Sequence, residues 1–174
     1  MFPLSLVFPC LSGKIVYYTI KAAFAVYLLA MKERFEILLI EDDEDDAEMT
    51  IYTLSKLSDV NIKHINDGQD AIRYLLDENL TMPDVILLDL KMPKVDGIDV
   101  LKRIQAHPER KSIPVIAFVS SSQGRAYVES FQLSTNGYLM KPVEITSFLT
   151  ALTEAGLGGF NVNVTERHKQ KAGM

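Results

Sequence analysis

Carboxylates and one lysine follow apolar runs of this 174-residue chain at positions where they could do chemistry together. Glu41 and Asp42 come directly after the run ILLI and open the acidic stretch EDDEDD at 41–46. Asp89 lies near the end of the run DVILLDL, and Lys141 follows the run GYLM. Carboxylate oxygens without histidine or cysteine favour a hard cation such as Mg²⁺, which keeps several waters and leaves room for a phosphoryl group.

The elements that must position these side chains are strands and helices in alternation. Five short apolar runs, separated by amphipathic stretches, indicate parallel strands with helices on both faces of one sheet. The runs are EILLI (36–40), VNIKHI (60–65), DVILLDL (84–90), IPVIAFV (113–119) and GYLM (137–140). We therefore predict an α/β fold, a flavodoxin-like (βα)5 doubly wound parallel five-stranded sheet.

Residues at helical spacing between the runs indicate the helices. They are Ala47, Ile51 and Leu54; Ala71 and Leu75; Gly97, Val100, Leu101 and Ile104; Tyr127, Ser130 and Phe131; and Ile145, Phe148, Leu149 and Leu152. Turn signals at Asp67-Gly68, Met92-Pro93, Asp96-Gly97 and Asn136-Gly137 support these boundaries. The five strand–helix units fill residues 35–155, which we predict to be one domain.

Ligands of an open parallel sheet bind beyond the carboxyl ends of its strands, where the strand order switches. Glu41, Asp42, Asp89 and Lys141 should all meet at this edge. Two like charges about 4 Å apart repel each other by about 4 kcal/mol at an effective dielectric of 20. A cation must therefore lie among the acids, or their pKa values must rise.

The charge of the chain is uneven, which limits the class of partner. Residues 1–34 carry a net +3 and residues 156–174 a net +2 of the chain total of −5, so residues 35–155 carry −10. This excess of acid argues against nucleic acid as a partner and favours a cation or a basic protein surface. The one cysteine, Cys10, gives no disulfide framework or Cys-rich metal site and is compatible with the cytoplasm.

The apolar leader, residues 1–34, has three interpretations. Its run from Ile15 to Met31 is interrupted only by Lys21 and is at the lower length limit for spanning a bilayer. The leader is an upstream extension that is not part of the natural protein, a membrane anchor that faces the cytoplasm, or an export signal. We expect contact with a membrane only if the leader is native. Residues 156–174 lose the helical period and are predicted to form a short tail.

The residues that could do chemistry together match a known sequence pattern. An acid pair at Glu41 and Asp42, Asp89 in LLDLKMPKVDG, and Lys141 followed by proline resemble the receiver domain of two-component response regulators. The resemblance covers about residues 35–155, and HPERKSIPVIAF and KPVEITSF resemble the stand-alone receivers of bacterial phytochrome-type kinases. It implies a phosphorelay signalling module rather than an enzyme. Its partners would be a sensor histidine kinase or phosphotransfer protein and a downstream protein target.

The same resemblance implies a role for each matching residue. Asp89 would take a phosphoryl group from a phosphohistidine and become an aspartyl phosphate. The protein ligands of Mg²⁺ would be Asp42, Glu41, Asp89 and the backbone carbonyl of Lys91. Lys141 and the metal would neutralise the phosphoryl oxygens during in-line transfer. The peptide bond between Lys141 and the next proline would be cis.

One position departs from the receiver pattern. Receivers usually end the fourth strand in a Thr or Ser that bonds to the phosphoryl group, whereas this chain has Val119, 30 residues after Asp89 and 22 before Lys141. Valine has nearly the shape of threonine but no hydroxyl. Either Ser120 substitutes, or the domain signals weakly, or it acts as a phosphate sink. Tyr138 is at the aromatic position that moves inward with the switch, and its plain alternative is a half-buried strand residue.

Three other functions compete with phosphoryl acceptance. A hydrolase of the haloacid dehalogenase type needs an acid two residues after the nucleophile, where this chain has Lys91. A flavodoxin-like cofactor binder needs a phosphate-binding loop after the first strand, where six acids stand instead. A receiver-shaped interaction module that is never phosphorylated therefore stays open beside the phospho-acceptor.

The rest of the acidic stretch EDDEDD divides into two parts. Asp43 and Glu44 are expected to form a loop or a helix cap, and Asp45 and Asp46 the first helical turn. Negative charge in a first turn is favoured by about 0.3 to 1 kcal/mol per residue. Asp42→Ala is thus expected to abolish Mg²⁺-dependent phosphorylation, and Asp46→Ala to leave most of it intact.

Overall fold

A computed structural model of the protein describes residues 34–77, 79–119 and 124–158. The predictions for Cys10, for Ser120, for nearly all of the leader and for most of the tail concern residues outside this description. No helix in the described ranges is long and apolar enough to cross a membrane.

Strands and helices alternate along the described residues, as predicted. The strands are Phe35–Ile40 (β1), Val60–Ile65 (β2), Val85–Asp89 (β3), Val115–Val119 (β4) and Gly137–Met140 (β5). The helices are Glu44–Leu54 (α1), Gly68–Leu76 (α2), Gly97–Ala106 (α3), Gly124–Ser130 (α4) and Ile145–Glu154 (α5). All strands are parallel in the order β2-β1-β3-β4-β5, which confirms the flavodoxin-like doubly wound sheet.

Alternate strand residues point to opposite faces of the sheet and build two separate cores. Leu38 and Ile40 pack with α2, α3 and α4, whereas Ile37 and Leu39 pack with α1 and α5. The central strands β3 and β4 are buried throughout, except for Asp89 at the end of β3. Helices on both faces explain why these strands are continuous apolar runs, and Asp89 is where β3 reaches the surface.

Helical spacing predicted the existence of α4 but not its buried face. Tyr127, Ser130 and Phe131 are exposed, and Phe131 lies just beyond the last helical residue. The buried residue of α4 is Val128. A helix of seven residues makes only about two turns, so a single inward position is enough to attach it to the sheet.

Aspartates cap the N-termini of the first three helices. Asp43, Asp67 and Asp96 precede α1, α2 and α3, and each carboxylate accepts a hydrogen bond from a backbone N–H of the first helical turn. A cap of this kind stabilises a helix by about 1 kcal/mol. The prediction of a loop or cap is therefore confirmed for Asp43, whereas Glu44 is the first helical residue.

Gly97 lies against the end of β3, so its lack of a side chain helps to set the position of Asp89. A Cβ atom at Gly97 would lie 2.1 Å from the Asp89 carbonyl oxygen and 2.6 Å from the Leu90 Cα atom. Gly97→Ala is expected to lower the free energy of unfolding, measured in urea, by about 3 kcal/mol, because backbone atoms must move. Gly137→Ala is the control, since a Cβ atom there meets no neighbour closer than 3.5 Å. Equal losses in the two variants would contradict this account.

Candidate functional site

The structure brings the acids and the lysine together at the carboxyl ends of the strands. One carboxylate oxygen from each of Glu41, Asp42 and Asp89 lies within 4.8 Å of the others. The Lys141 Nζ atom is 2.5 Å from Glu41 Oε2 and 2.6 Å from Asp89 Oδ2. The bond between Lys141 and Pro142 is cis. Residues that are up to 100 positions apart in the chain thus form one polar cluster.

The ammonium group of Lys141 has a third carboxylate partner, Asp46, whose Oδ2 atom lies 3.0 Å away. The same Nζ atom lies 5.4 Å from the ring centroid of Phe118, which is buried in β4. Burial alone would lower the pKa of Lys141. Its hydrogen bonds to Asp89, Glu41 and Asp46 outweigh burial and raise the pKa above its usual value, so the group stays charged at neutral pH.

Glu41 is the most deeply buried acid of the cluster, with a side chain that is 0% exposed. Burial raises the pKa of Glu41 to about 7; the nearby Lys141 opposes this shift and Asp89 adds to it. The His64 Nε2 atom lies 2.8 Å from the backbone oxygen of Glu41 and helps to fix the end of β1. Glu41 therefore holds a proton more readily than an exposed glutamate when Lys141 is its only cation.

Asp89 is held through both of its carboxylate oxygens. Oδ1 accepts the backbone N–H of Lys91 at 2.9 Å, and Oδ2 accepts a hydrogen bond from Lys141. The Asp89 side chain is 13% exposed, so a small reagent can reach it. Lys91 is exposed, and the role of its backbone carbonyl as a metal ligand stays a prediction. The arrangement gives an oriented carboxylate that is still open to solvent.

The chemistry of the donors fits a hard divalent cation. Glu41, Asp42 and Asp89 offer carboxylate oxygens, the ligands that Mg²⁺ prefers, and no nitrogen or sulfur belongs to this group. Lys141 brings a single positive charge to the cluster. One positive charge does not balance three carboxylates, so a second cation would reduce the repulsion that remains among the acids.

Asp46 is the residue of the cluster that sequence reasoning missed. It is the third residue of α1, its backbone N–H donates to Asp43 Oδ1 at 3.0 Å, and its side chain is 45% exposed. An acid in a first helical turn is favoured by the helix dipole whether or not it contacts another group. The signal available in the sequence was its position in the first turn of a helix that begins two residues after Asp42, one of the predicted metal ligands.

Two candidate switch residues, Val119 and Tyr138, lie on the neighbouring strands β4 and β5. Val119 ends β4 and is buried, and its Cγ1 atom lies only 2.2 Å from where a Cβ atom of Gly124 would be. The start of α4 therefore packs directly on Val119. Tyr138 of β5 is half-buried, and the guanidinium of Arg125 lies 5.0 Å from its ring centroid. The structure says nothing of Ser120, which lies outside the described residues.

Known proteins are similar to this chain in sequence. Residues 37–153 match the family model of the response regulator receiver domain. The response regulator Rcp1 of Synechocystis sp. is 36% identical over 110 residues, which cover 60% of this chain and 75% of that protein. The probable methanogenesis regulatory protein FilR2 of Methanothrix harundinacea is 30% identical over 131 residues, which cover 73% of this chain and 84% of that protein.

Solved structures of bacteriophytochrome response regulators are also similar. AtBRR is 35% identical with a TM-score of 0.66, and the match covers 72% of this chain and 94% of that one. RtBRR is 39% identical with a TM-score of 0.64, and the match covers 73% of this chain and 80% of that one. The resemblance to regulators of the phytochrome-partner type is thereby confirmed. This chain belongs to the response regulator receiver domain family of two-component phosphorelay signalling.

Proposed function

We propose that this protein is a single-domain response regulator that accepts a phosphoryl group on Asp89 and signals by protein contact. The phosphoryl donor is a sensor histidine kinase or a phosphotransfer protein. The observation that supports this best is the Asp89 carboxylate itself, which is oriented by Lys141 at 2.6 Å and lies among the acids of a candidate cation site.

In the proposed reaction an Asp89 carboxylate oxygen attacks the phosphorus atom of a phosphohistidine. A P–O bond forms as the P–N bond breaks, and its electron pair returns to the imidazole nitrogen, which takes a proton from water. A carboxylate needs no general base for this step. Lys141 donates an N–H to a phosphoryl oxygen and neutralises part of its charge, while the Lys91 N–H holds the attacking carboxylate in place.

The cation that fits this site is Mg²⁺, held by Glu41, Asp42, Asp89 and the backbone carbonyl of Lys91. When bound, it neutralises charge on the phosphoryl oxygens. The buried Glu41 and the half-buried Asp42 place carboxylate oxygens where a cation can bind next to the arriving phosphoryl group.

The downstream target is a protein that binds the surface formed by α4, β5 and α5. Tyr127 of α4 and Met140 of β5 are 43% and 58% exposed on these elements. Large apolar side chains exposed on the same surface are typical of protein contacts. The acidic charge of residues 35–155 disfavours nucleic acid as the target. The protein acts in the cytoplasm, and contacts a membrane only if the leader is native.

Incubation of the purified full chain with Mg²⁺ and acetyl phosphate tests the proposal. An acid-stable, base-labile adduct is expected, detected by intact-protein mass spectrometry after an acid quench. The adduct should be absent without Mg²⁺ and in Asp89→Asn. No adduct in the wild-type protein, or one that persists in Asp89→Asn, would sink the phospho-acceptor function.

Val119 favours a second candidate function. Its isopropyl group packs on Gly124 and offers no hydroxyl to a phosphoryl group. The protein would then be a receiver-shaped interaction module, or a phosphate sink with weakened switching, in which Asp89 accepts phosphate but the change is poorly passed to α4.

Val119→Thr is expected to strengthen switching. The substitution keeps the size of the side chain and adds a hydroxyl, and one such hydrogen bond of about 1 kcal/mol corresponds to about a 5-fold change in an equilibrium. We expect the lifetime of the aspartyl phosphate, or the affinity for the partner, to change by about this factor. Val128→Thr, a buried position of α4 away from the cluster, is the control. If neither quantity changes in Val119→Thr, Val119 does not limit the signal.

A further inference from the structure

The ammonium group of Lys141 lies within 3.0 Å of three carboxylate oxygens before any phosphoryl group arrives. An ammonium group carries three N–H donors. Its carboxylate partners are Glu41 at 2.5 Å, Asp89 at 2.6 Å and Asp46 at 3.0 Å. Donation to a phosphoryl oxygen, as the proposed function requires, therefore competes with these three ion pairs.

The three partners are not equivalent. The Glu41 side chain is fully buried and belongs to the candidate cation site, so it cannot move out into solvent when a phosphoryl group arrives. Asp89 is the proposed acceptor and stays at the reacting centre. Asp46 is 45% exposed and makes the longest of the three contacts, so water can solvate its carboxylate when the contact breaks.

Asp46 also stands apart from the candidate cation site. The acids that can share one ion are Glu41, Asp42 and Asp89, and Asp46 is not among them. Its position is nevertheless fixed by the fold, because its backbone N–H is bound to the Asp43 cap at 3.0 Å. The Asp46 carboxylate thus faces the ammonium from α1 without a role in holding the metal.

We propose that Asp46 is a positioning residue that pairs with the ammonium group of Lys141 in the unphosphorylated protein and gives way to the phosphoryl group. The inference rests on the proposed function of Asp89. Asp46 competes with the phosphoryl oxygen for the same donor, and its charge repels an anionic phosphodonor. Asp46 therefore opposes phosphorylation and raises the concentration of phosphodonor that the protein needs.

The test compares rates of phosphorylation by acetyl phosphate with saturating Mg²⁺ in the full chain. Asp46→Ala is expected to increase the second-order rate constant by about 2- to 5-fold, the range that corresponds to an exposed ion pair. The gain should appear as a lower half-saturating concentration of acetyl phosphate rather than as a higher maximal rate. Asp46→Asn keeps the size of the side chain without its charge and should change the rate in the same direction.

Asp45→Ala is the matched control. Asp45 lies one residue earlier in the same helical turn and carries the same charge, but its carboxylate is not one of the three on Lys141. If Asp46→Ala and Asp46→Asn are no faster than Asp45→Ala, the inference is wrong. A wild-type protein that takes no phosphoryl group overturns the proposed function, and the inference with it, so the two failures are distinguishable.

Discussion

Lys141→Met is expected to destabilise the protein by about 2 kcal/mol and to slow phosphorylation by about 100-fold. The ammonium group is the cation on which Glu41, Asp46 and Asp89 converge. Its loss leaves the acids to repel one another, and protonation of the buried Glu41 limits the cost. Urea denaturation without metal measures the first effect, and the rate of labelling by acetyl phosphate measures the second.

Lys111→Met is the control for Lys141→Met. Lys111 is exposed in the short helical turn before β4, at the opposite end of the sheet from the cluster. Lys111→Met removes the same charge and introduces the same side chain as Lys141→Met. Its loss is expected to change the free energy of unfolding by no more than about 0.5 kcal/mol. Equal stability and equal labelling of the two variants would show that Lys141 does not hold the site together.

Asp42→Ala is expected to abolish Mg²⁺-dependent labelling and to weaken Mg²⁺ binding by about 100-fold or more. Asp42 supplies one of three carboxylates whose oxygens lie within 4.8 Å of one another, and it makes no ion pair with Lys141. Titration calorimetry with Mg²⁺ measures the affinity, and the acetyl phosphate assay measures the labelling.

The same variant should not be less stable than the wild-type protein when metal is absent, because a like charge has been removed from the cluster. Glu44→Ala, an exposed first residue of α1, is the control and should keep its Mg²⁺ affinity. Labelling of Asp42→Ala at the wild-type rate would contradict the assignment of the metal to these acids.

The fold could be predicted because each strand is a short apolar run and helical spacing is found between the runs. The predicted run 84–90 became β3, Val85–Asp89, and the run 113–119 became β4, Val115–Val119. The errors are at the ends, where apolar residues continue into loops without strand pairing. The exposed face of α4 was beyond prediction, since two aromatic residues at helical spacing have the same pattern whether they are buried or not.

The approximate position of the site could also be predicted, because parallel strands bring their carboxyl ends to one edge of the sheet. The contacts between particular side chains within the site could not be predicted. Asp46 of α1 contacts Lys141, which lies 95 positions later in the chain, and no local sequence pattern predicts such a contact. The burial of Arg110 could not be predicted either, because a charged residue between a helix and a strand suggests exposure. Its guanidinium group donates a hydrogen bond to the backbone oxygen of Asp77.

Asp89 is the proposed carrier of the phosphoryl group, and the most direct test locates the modification in the chain. The full chain is labelled with acetyl phosphate and Mg²⁺ and then treated with borohydride, which reduces an aspartyl phosphate to homoserine. Peptide mass spectrometry then identifies the altered residue. Homoserine at position 89 is the expected result. Homoserine at another aspartate, or an unaltered Asp89 in protein that carries the label, would contradict the account.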